Sequence, residues 1–237
     1  FTFFKDRDGK YQLASLAESS FDPLARTCQF MLTEEAHHMF VGETGVMRIV
    51  QRTCELMTEL KTDDPERISA AGAIDLPMLQ RFINFHYSVS IDLFGQERST
   101  NAADYFTTGL KGRYRETRIN DDHRLADTTW PVYSPKGDVI VCEEQPALLA
   151  INERLRDDYI TDSQRGLDRW NKVVEQHSID YTFTLPHRGF SRQIGAFADV
   201  CVSPEGNIVS QEVWAGQISD WLPTESDHEF VTSLMQP

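Results

Sequence analysis

Leu32-Thr-Glu-Glu-Ala-His-His-Met-Phe-Val-Gly42 holds two overlapping Glu-x-x-His pairs, Glu34/His37 and Glu35/His38, and the choice between them decides how the chain is read. On a 3.6-residue period, positions i and i+3 share one helix face. Either pair therefore sets a carboxylate and an imidazole one turn apart, the spacing found in half of a carboxylate-bound di-iron site. Stepping from Glu35 by threes and fours gives Leu24, Cys28, Met31, His38, Gly42, Val46 and Ile49, which is apolar apart from the two candidate ligands. Stepping from Glu34 gives Thr27, Phe30, His37, Val41, Thr44, Arg48 and Arg52, a stripe that turns charged. The patterning predicts that Glu35 and His38 face the core and that Glu34 and His37 flank them. A buried carboxylate beside an imidazole needs a partner; a metal is one, and an ion pair on a solvated helix face is the alternative. The zinc-protease order His-Glu-x-x-His is absent from the sequence.

A third carboxylate belongs to the same picture. Between Asp6 and Glu35 the strongest interruption is Ser19-Ser20-Phe21-Asp22-Pro23, which reads as a turn between two helices with Asp22 as N-cap and Pro23 in the first helical turn. The turn lies midway between the two acids, so two antiparallel helices would bring Asp6 and Glu35 to the same height, each about 22 Å from the turn at 1.5 Å per residue. Asp6 shares its face with Phe3, Leu13 and Leu16. Gly9, unfavourable inside a helix, is expected to mark a local distortion beside the site.

The expected elements are a helix over 1–19, a second over 23–60 ended by Lys61-Thr-Asp-Asp-Pro65, a third over 77–94 and a fourth over 99–118. His86 and Asp92 on the third helix read as hydrogen-bonded core residues rather than ligands. Beyond residue 130 the texture changes. Residues 131–141 read as a hairpin turning at Pro-Lys-Gly-Asp, 146–177 as a long helix, 198–209 as a second hairpin, and 221–230 as a capped short helix.

Composition excludes several classes. The 237 residues carry a formal net charge of −14, which disfavours nucleic acid and anionic membrane surfaces and would also repel a polyphosphate ligand unless a local basic patch receives it. The run Lys111-Gly-Arg-Tyr-Arg115 is the densest such patch, with an ordinary solvated loop as its alternative. No apolar run is long enough to cross a membrane and no signal-peptide pattern opens the chain. Cys28, Cys54, Cys142 and Cys201 are scattered without a Cys-x-x-Cys pair, which predicts buried free thiols in a reducing cytosol. There is no Walker or dinucleotide glycine loop.

The stretches DRDGKYQLASLAESSFDPLART (6–27), FMLTEEAHHMFVGETGV (30–46), NFHYSVSIDLFG (84–95), STNAA (99–103), GLKGRYRE (109–116), NERLRDDYI (152–160), RWNKV (169–173) and WLPTE (221–225) carry a more specific signal. With them the chain, along essentially its whole length, resembles the C-terminal half of the oxygenase component of the benzoyl-CoA 2,3-epoxidase family. The resemblance implies a mainly α fold: half of a ferritin-like di-iron bundle over residues 1–130, with a helical and β-hairpin extension over 131–237 packed on it. It implies iron as cofactor, held here by Asp6, Glu35 and His38, with Glu35 as the catalytic, bridging carboxylate. It further implies insertion of one oxygen atom of O2 into the ring of benzoyl-CoA, electrons from NADPH through a separate flavin and iron-sulfur reductase, and a cytoplasmic setting.

A complete site of this class takes carboxylates from two helices and Glu-x-x-His motifs from two more. This chain holds one set; Asn120-Asp-Asp-His123 is a weak imitation in a polar stretch. The remaining ligands are expected in a missing N-terminal half, and the isolated chain, which opens at Phe1 inside a helix, is expected to be inactive. A di-iron oxygenase for another aryl-CoA such as phenylacetyl-CoA, or a non-catalytic half-bundle that binds a CoA thioester, are the rival readings.

Overall fold

The computed structural model describes residues 1–99 and 128–235. The predicted helix over 99–118, the Lys111–Arg115 patch and the Asn120–His123 stretch lie outside, or almost wholly outside, the described residues. Within them the chain is mainly helical, with one two-stranded sheet.

Helices α1 (Thr2–Leu16) and α2 (Asp22–Leu60) form a hairpin. Leu13 and Ala17 at the end of α1 pack with Cys28 and Leu32 near the start of α2, while Phe3 meets Gly42 further along, so the two run antiparallel. Asp22 is not the N-cap: Phe21 holds that position, and Asp22, the first helical residue, accepts from Arg26 Nε at 3.0 Å. Lys61 ends α2 in the left-handed region, φ 51°. Gly9 does not break α1, which is continuous through it.

Gly42 fixes how close the two helices come. A Cβ there would lie 2.5 Å from Phe3 N and 2.9 Å from Phe3 Cα, so only a hydrogen lets the backbones meet. The Phe3 ring then reaches Phe4 and Trp170, with centroids 4.7 and 4.4 Å apart. Gly45, a turn away and exposed, has nothing within 4 Å of its would-be Cβ. Gly42→Ala is therefore expected to destabilise the fold by about 1–3 kcal/mol through overpacking, and Gly45→Ala to stabilise it by up to about 1 kcal/mol through helix propensity, as read from urea melts.

The other helices complete one core. Asp75 caps α4 (Leu76–Asp92) by accepting from Met78 N at 2.8 Å; α3 (Pro65–Ala70) precedes it, and α5 is Ile151–Gln176. Phe3 and Phe4 of α1, Val50 and Cys54 of α2, Ile83, Tyr87 and Ile91 of α4, and Tyr159, Leu167, Trp170 and Val174 of α5 belong to a single buried cluster. The chain beyond residue 130 is thus joined to the first three helices through shared apolar packing. Strands β1 (Thr129–Lys136) and β2 (Val139–Pro146) make the predicted hairpin, turning at Gly137, φ 62°.

The second predicted hairpin is reduced to a tight antiparallel reversal without regular strands. Over 198–209 the structure has one isolated bridge, Val202 to Ile208, because Ser203, Pro204 and Gly206 fold back within a few residues and leave too little extended chain for a ladder. Two helices follow, α6 (Gln211–Trp221) and α7 (Glu225–Leu234), the latter opened by a Thr224/Asp227 capping box. Arg81 of α4 clamps Asp227 with two bonds of 2.7 and 2.9 Å and so ties α7 to the core. The cysteines are free thiols, but only Cys28 and Cys54 are buried; Cys142 sits exposed on an open strand.

One acid is buried where a nearby cation, Lys5, does not offset desolvation. Asp8 is 2% exposed, accepts from Gln12 Nε2 at 2.9 and 3.1 Å, and has its pKa pushed by burial from 3.8 up to about 6. The unfolded carboxyl gives up its proton near 4 and the folded one near 6. Its contribution to stability is complete below the lower value and is lost as pH rises through the upper. Asp8→Asn keeps an acceptor for Gln12 without the charge. In metal-free protein it is expected to add roughly 2–3 kcal/mol at pH 8 and almost nothing at pH 4, measured as the shift in thermal midpoint at each pH.

Candidate metal centre

The helical hairpin brings Asp6, Glu35 and His38 together. One donor atom from each lies within 4.8 Å of the others, and among the described residues they form a group able to hold a metal ion. Donors bound to one first-row cation about 2.1 Å away stand at most about 4.2 Å apart, so small side-chain rotations close the set. Asp6 Oδ2 and Glu35 Oε2 are both buried without a hydrogen-bond partner, and His38 Nδ1 stands 3.9 Å from Glu35 Oε2. Two orphaned carboxylate oxygens beside an imidazole are a donor set short of a cation.

The electrostatics agree. Burial raises the Glu35 pKa above the usual carboxylate range, the neighbouring Asp6 carboxylate raises it further, and His38 pulls it back. A cation placed among the three would oppose both raising effects and favour the ionised Glu35 carboxylate.

Beside the site, Arg7 is almost fully buried. It donates to Phe3 O at 3.0 Å and to Glu43 Oε2 at 3.3 Å, with its guanidinium 4.0 Å over the Phe3 ring and Nε 3.5 Å from Asp162. Glu43 also holds Arg169, and Lys10 reaches Asp162 at 2.8 Å. These pairs lock α1 against α2 and α5 one residue from Asp6. Arg169 and Glu43 stand 126 residues apart and Lys10 and Asp162 152, so helical spacing does not reveal their pairing.

Glu34 and His37 are exposed, as the helical faces required. The expectation that Glu35 and His38 face a buried core needs correction. Glu35 is half-buried, but the His38 side chain is 50% exposed, and Leu24, Met31 and Ile49 on the same stripe are also exposed. Along this stretch α1 packs on one side of α2, with α5 joining at Glu43 through Arg169 and Trp170, and the face bearing Leu24 and Met31 is left open. Phe30, Phe40 and Val41 are exposed with them, leaving a wide apolar surface around the centre. Asp92 lies in an arginine network and His86 among Phe1, Phe82 and Phe85, neither in the group around Glu35.

No family model matches the sequence. The chain is 61% identical over 235 residues to benzoyl-CoA oxygenase component B of Aromatoleum evansii. The match takes in 99% of this chain and 50% of that protein, so the chain spans about half the length of the curated relative it matches. Among the described residues no helix is long and apolar enough to cross a membrane.

Proposed function

We propose that this chain is the C-terminal half of a di-iron oxygenase that converts benzoyl-CoA to its 2,3-epoxide, with Asp6, Glu35 and His38 as its iron ligands. The observation that carries the reading is the convergence of those three donors, two of them with orphaned buried oxygens, in a chain 61% identical to a benzoyl-CoA oxygenase component. Iron bound there would supply activation of O2. The chain's own groups do the rest. Asp6 and Glu35 offer anionic oxygens from facing helices, and His38 offers a neutral nitrogen one turn from Glu35. Burial and the neighbouring Asp6 carboxylate raise the Glu35 pKa, and a cation bound among the three would favour its ionised form.

The apolar surface around the centre supports a half-bundle. Phe30, Met31, Phe40 and Val41 stand exposed beside exposed Glu34 and His37, as expected of a helix pair whose second layer, with the remaining carboxylates and Glu-x-x-His motif, comes from elsewhere in the protein. That ferritin-like completion, electron supply from NADPH through a flavin and iron-sulfur reductase, and a cytoplasmic setting belong to the same proposal. The test is iron content together with O2 consumption. Full-length protein is expected to hold about two irons per chain and, with the reductase, to consume O2 only when benzoyl-CoA is added, yielding a product one oxygen atom heavier. Full-length protein that purifies without iron and binds benzoyl-CoA unchanged would favour a CoA-thioester binding module instead.

A further inference from the structure

Gly9 lies one turn beyond Asp6 in the middle of α1, where glycine is the poorest ordinary helix former. Its surroundings differ from those of the other described helical glycines. A Cβ at Gly42 or Gly166 would strike Phe3, and at Gly45 or Gly216 it would meet nothing. At Gly9 it would meet the Glu35 carboxylate, with Oε1 at 3.5 Å, Cδ at 3.6 Å and Oε2 at 3.8 Å. Three nearly equal distances mean that the carboxylate lies face-on against the α1 backbone. Glu35 Oε2 accepts no hydrogen bond, so none fixes that oxygen in place.

We propose that Gly9 is a positioning residue for Glu35. Its missing side chain keeps open the space in which the carboxylate turns between its resting place on α1 and the cleft it shares with Asp6 and His38. The inference rests on the reading of these three residues as metal ligands. A cation bound among the three would draw both carboxylates to a single point, so Glu35 needs room beside α1 to turn. A methyl group at position 9 fits at ordinary contact distance but packs on the carboxylate. A branched side chain takes the space the carboxylate uses.

The test uses full-length Gly9→Ala and Gly9→Val, with Gly45→Val as a control for valine in an open helical position. Co(II) is titrated into metal-free protein, its visible absorption reporting the coordination and its titration the affinity; circular dichroism reports folding. Gly9→Ala is expected to shift the Co(II) band and weaken binding about threefold, and Gly9→Val to weaken it roughly 10- to 100-fold, while Gly45→Val matches the parent. A purely structural glycine would alter the thermal midpoint and leave the band in place. Parent-like band and affinity in both Gly9 variants, or in Gly9→Ala should Gly9→Val not fold, overturns the inference and leaves the ligand reading standing. A parent protein that takes up no Co(II) overturns the ligand reading and this inference with it.

Discussion

Glu35→Ala and His38→Ala in the full-length protein are each expected to weaken iron binding by at least about 100-fold, while Glu34→Ala and His37→Ala leave it within about threefold. The difference follows from the helix, not from residue type, since the two pairs have the same chemistry and lie one residue apart. A shift of one position rotates a side chain by about 100°. That rotation carries Glu35 into contact with α1 and Asp6, and Glu34 out to solvent. Removing Glu35 takes away a carboxylate donor beside the buried Asp6 oxygen, and removing His38 takes away the imidazole donor. Iron per chain by emission spectrometry, with circular dichroism to confirm folding, decides it. Equal losses from both pairs would mean that the stripe of apolar residues had been assigned to the wrong face.

The candidate centre was legible because its determinants are local. Glu35 and His38 are related by helical spacing, and Asp6 by its distance from a turn that the Asp22-Pro23 pair announces. What was misjudged depends on neighbours that spacing cannot reveal. The Leu24, Met31 and Ile49 stripe is apolar, which patterning equates with burial, yet burial needs a covering element and among the described residues none covers that face. Gly9 looked like a helix defect because propensity is intrinsic, while its contact with a carboxylate on another helix is not. Ala198 to Val209 has the composition of a hairpin, but the backbone bonds of Ser203 and Gly206 close it too tightly for paired strands. Helix α6 escaped notice because Gln211–Trp221 is short and carries Gly216 in its middle, although Trp214, Ile218 and Trp221 recur at helical spacing.

Arg192→Met is expected to be among the most destabilising single changes in the described structure, costing about 3–5 kcal/mol. Arg192 is fully buried in a network that joins the end of α4 to α5 and to the loop after residue 187. Its Nε donates to Asp92 Oδ1, its Nη2 donates to Ile194 O at 2.9 Å and lies 3.4 Å from Glu97, and Asp92 Oδ2 accepts from Gln193 N at 2.8 Å. Nearby, Arg156 and Arg188 meet Glu153, with Arg188 also reaching Asp157 and Arg156 standing 3.9 Å from Glu97. Methionine fills much of the volume but supplies no charge, so the Asp92 carboxyl group is left in a site that is 7% exposed without its nearest cation. The penalty is the stranded carboxylate more than the lost attraction. Adding Asp92→Asn to Arg192→Met should therefore recover a large share of the loss, although Asp92→Asn alone destabilises. A double-mutant cycle in urea isolates this coupling. Additive losses from the two substitutions would show that Arg192 acts through packing and its bonds to Ile194, Arg188 and Gly95, with Asp92 stabilised independently by Gln193 N.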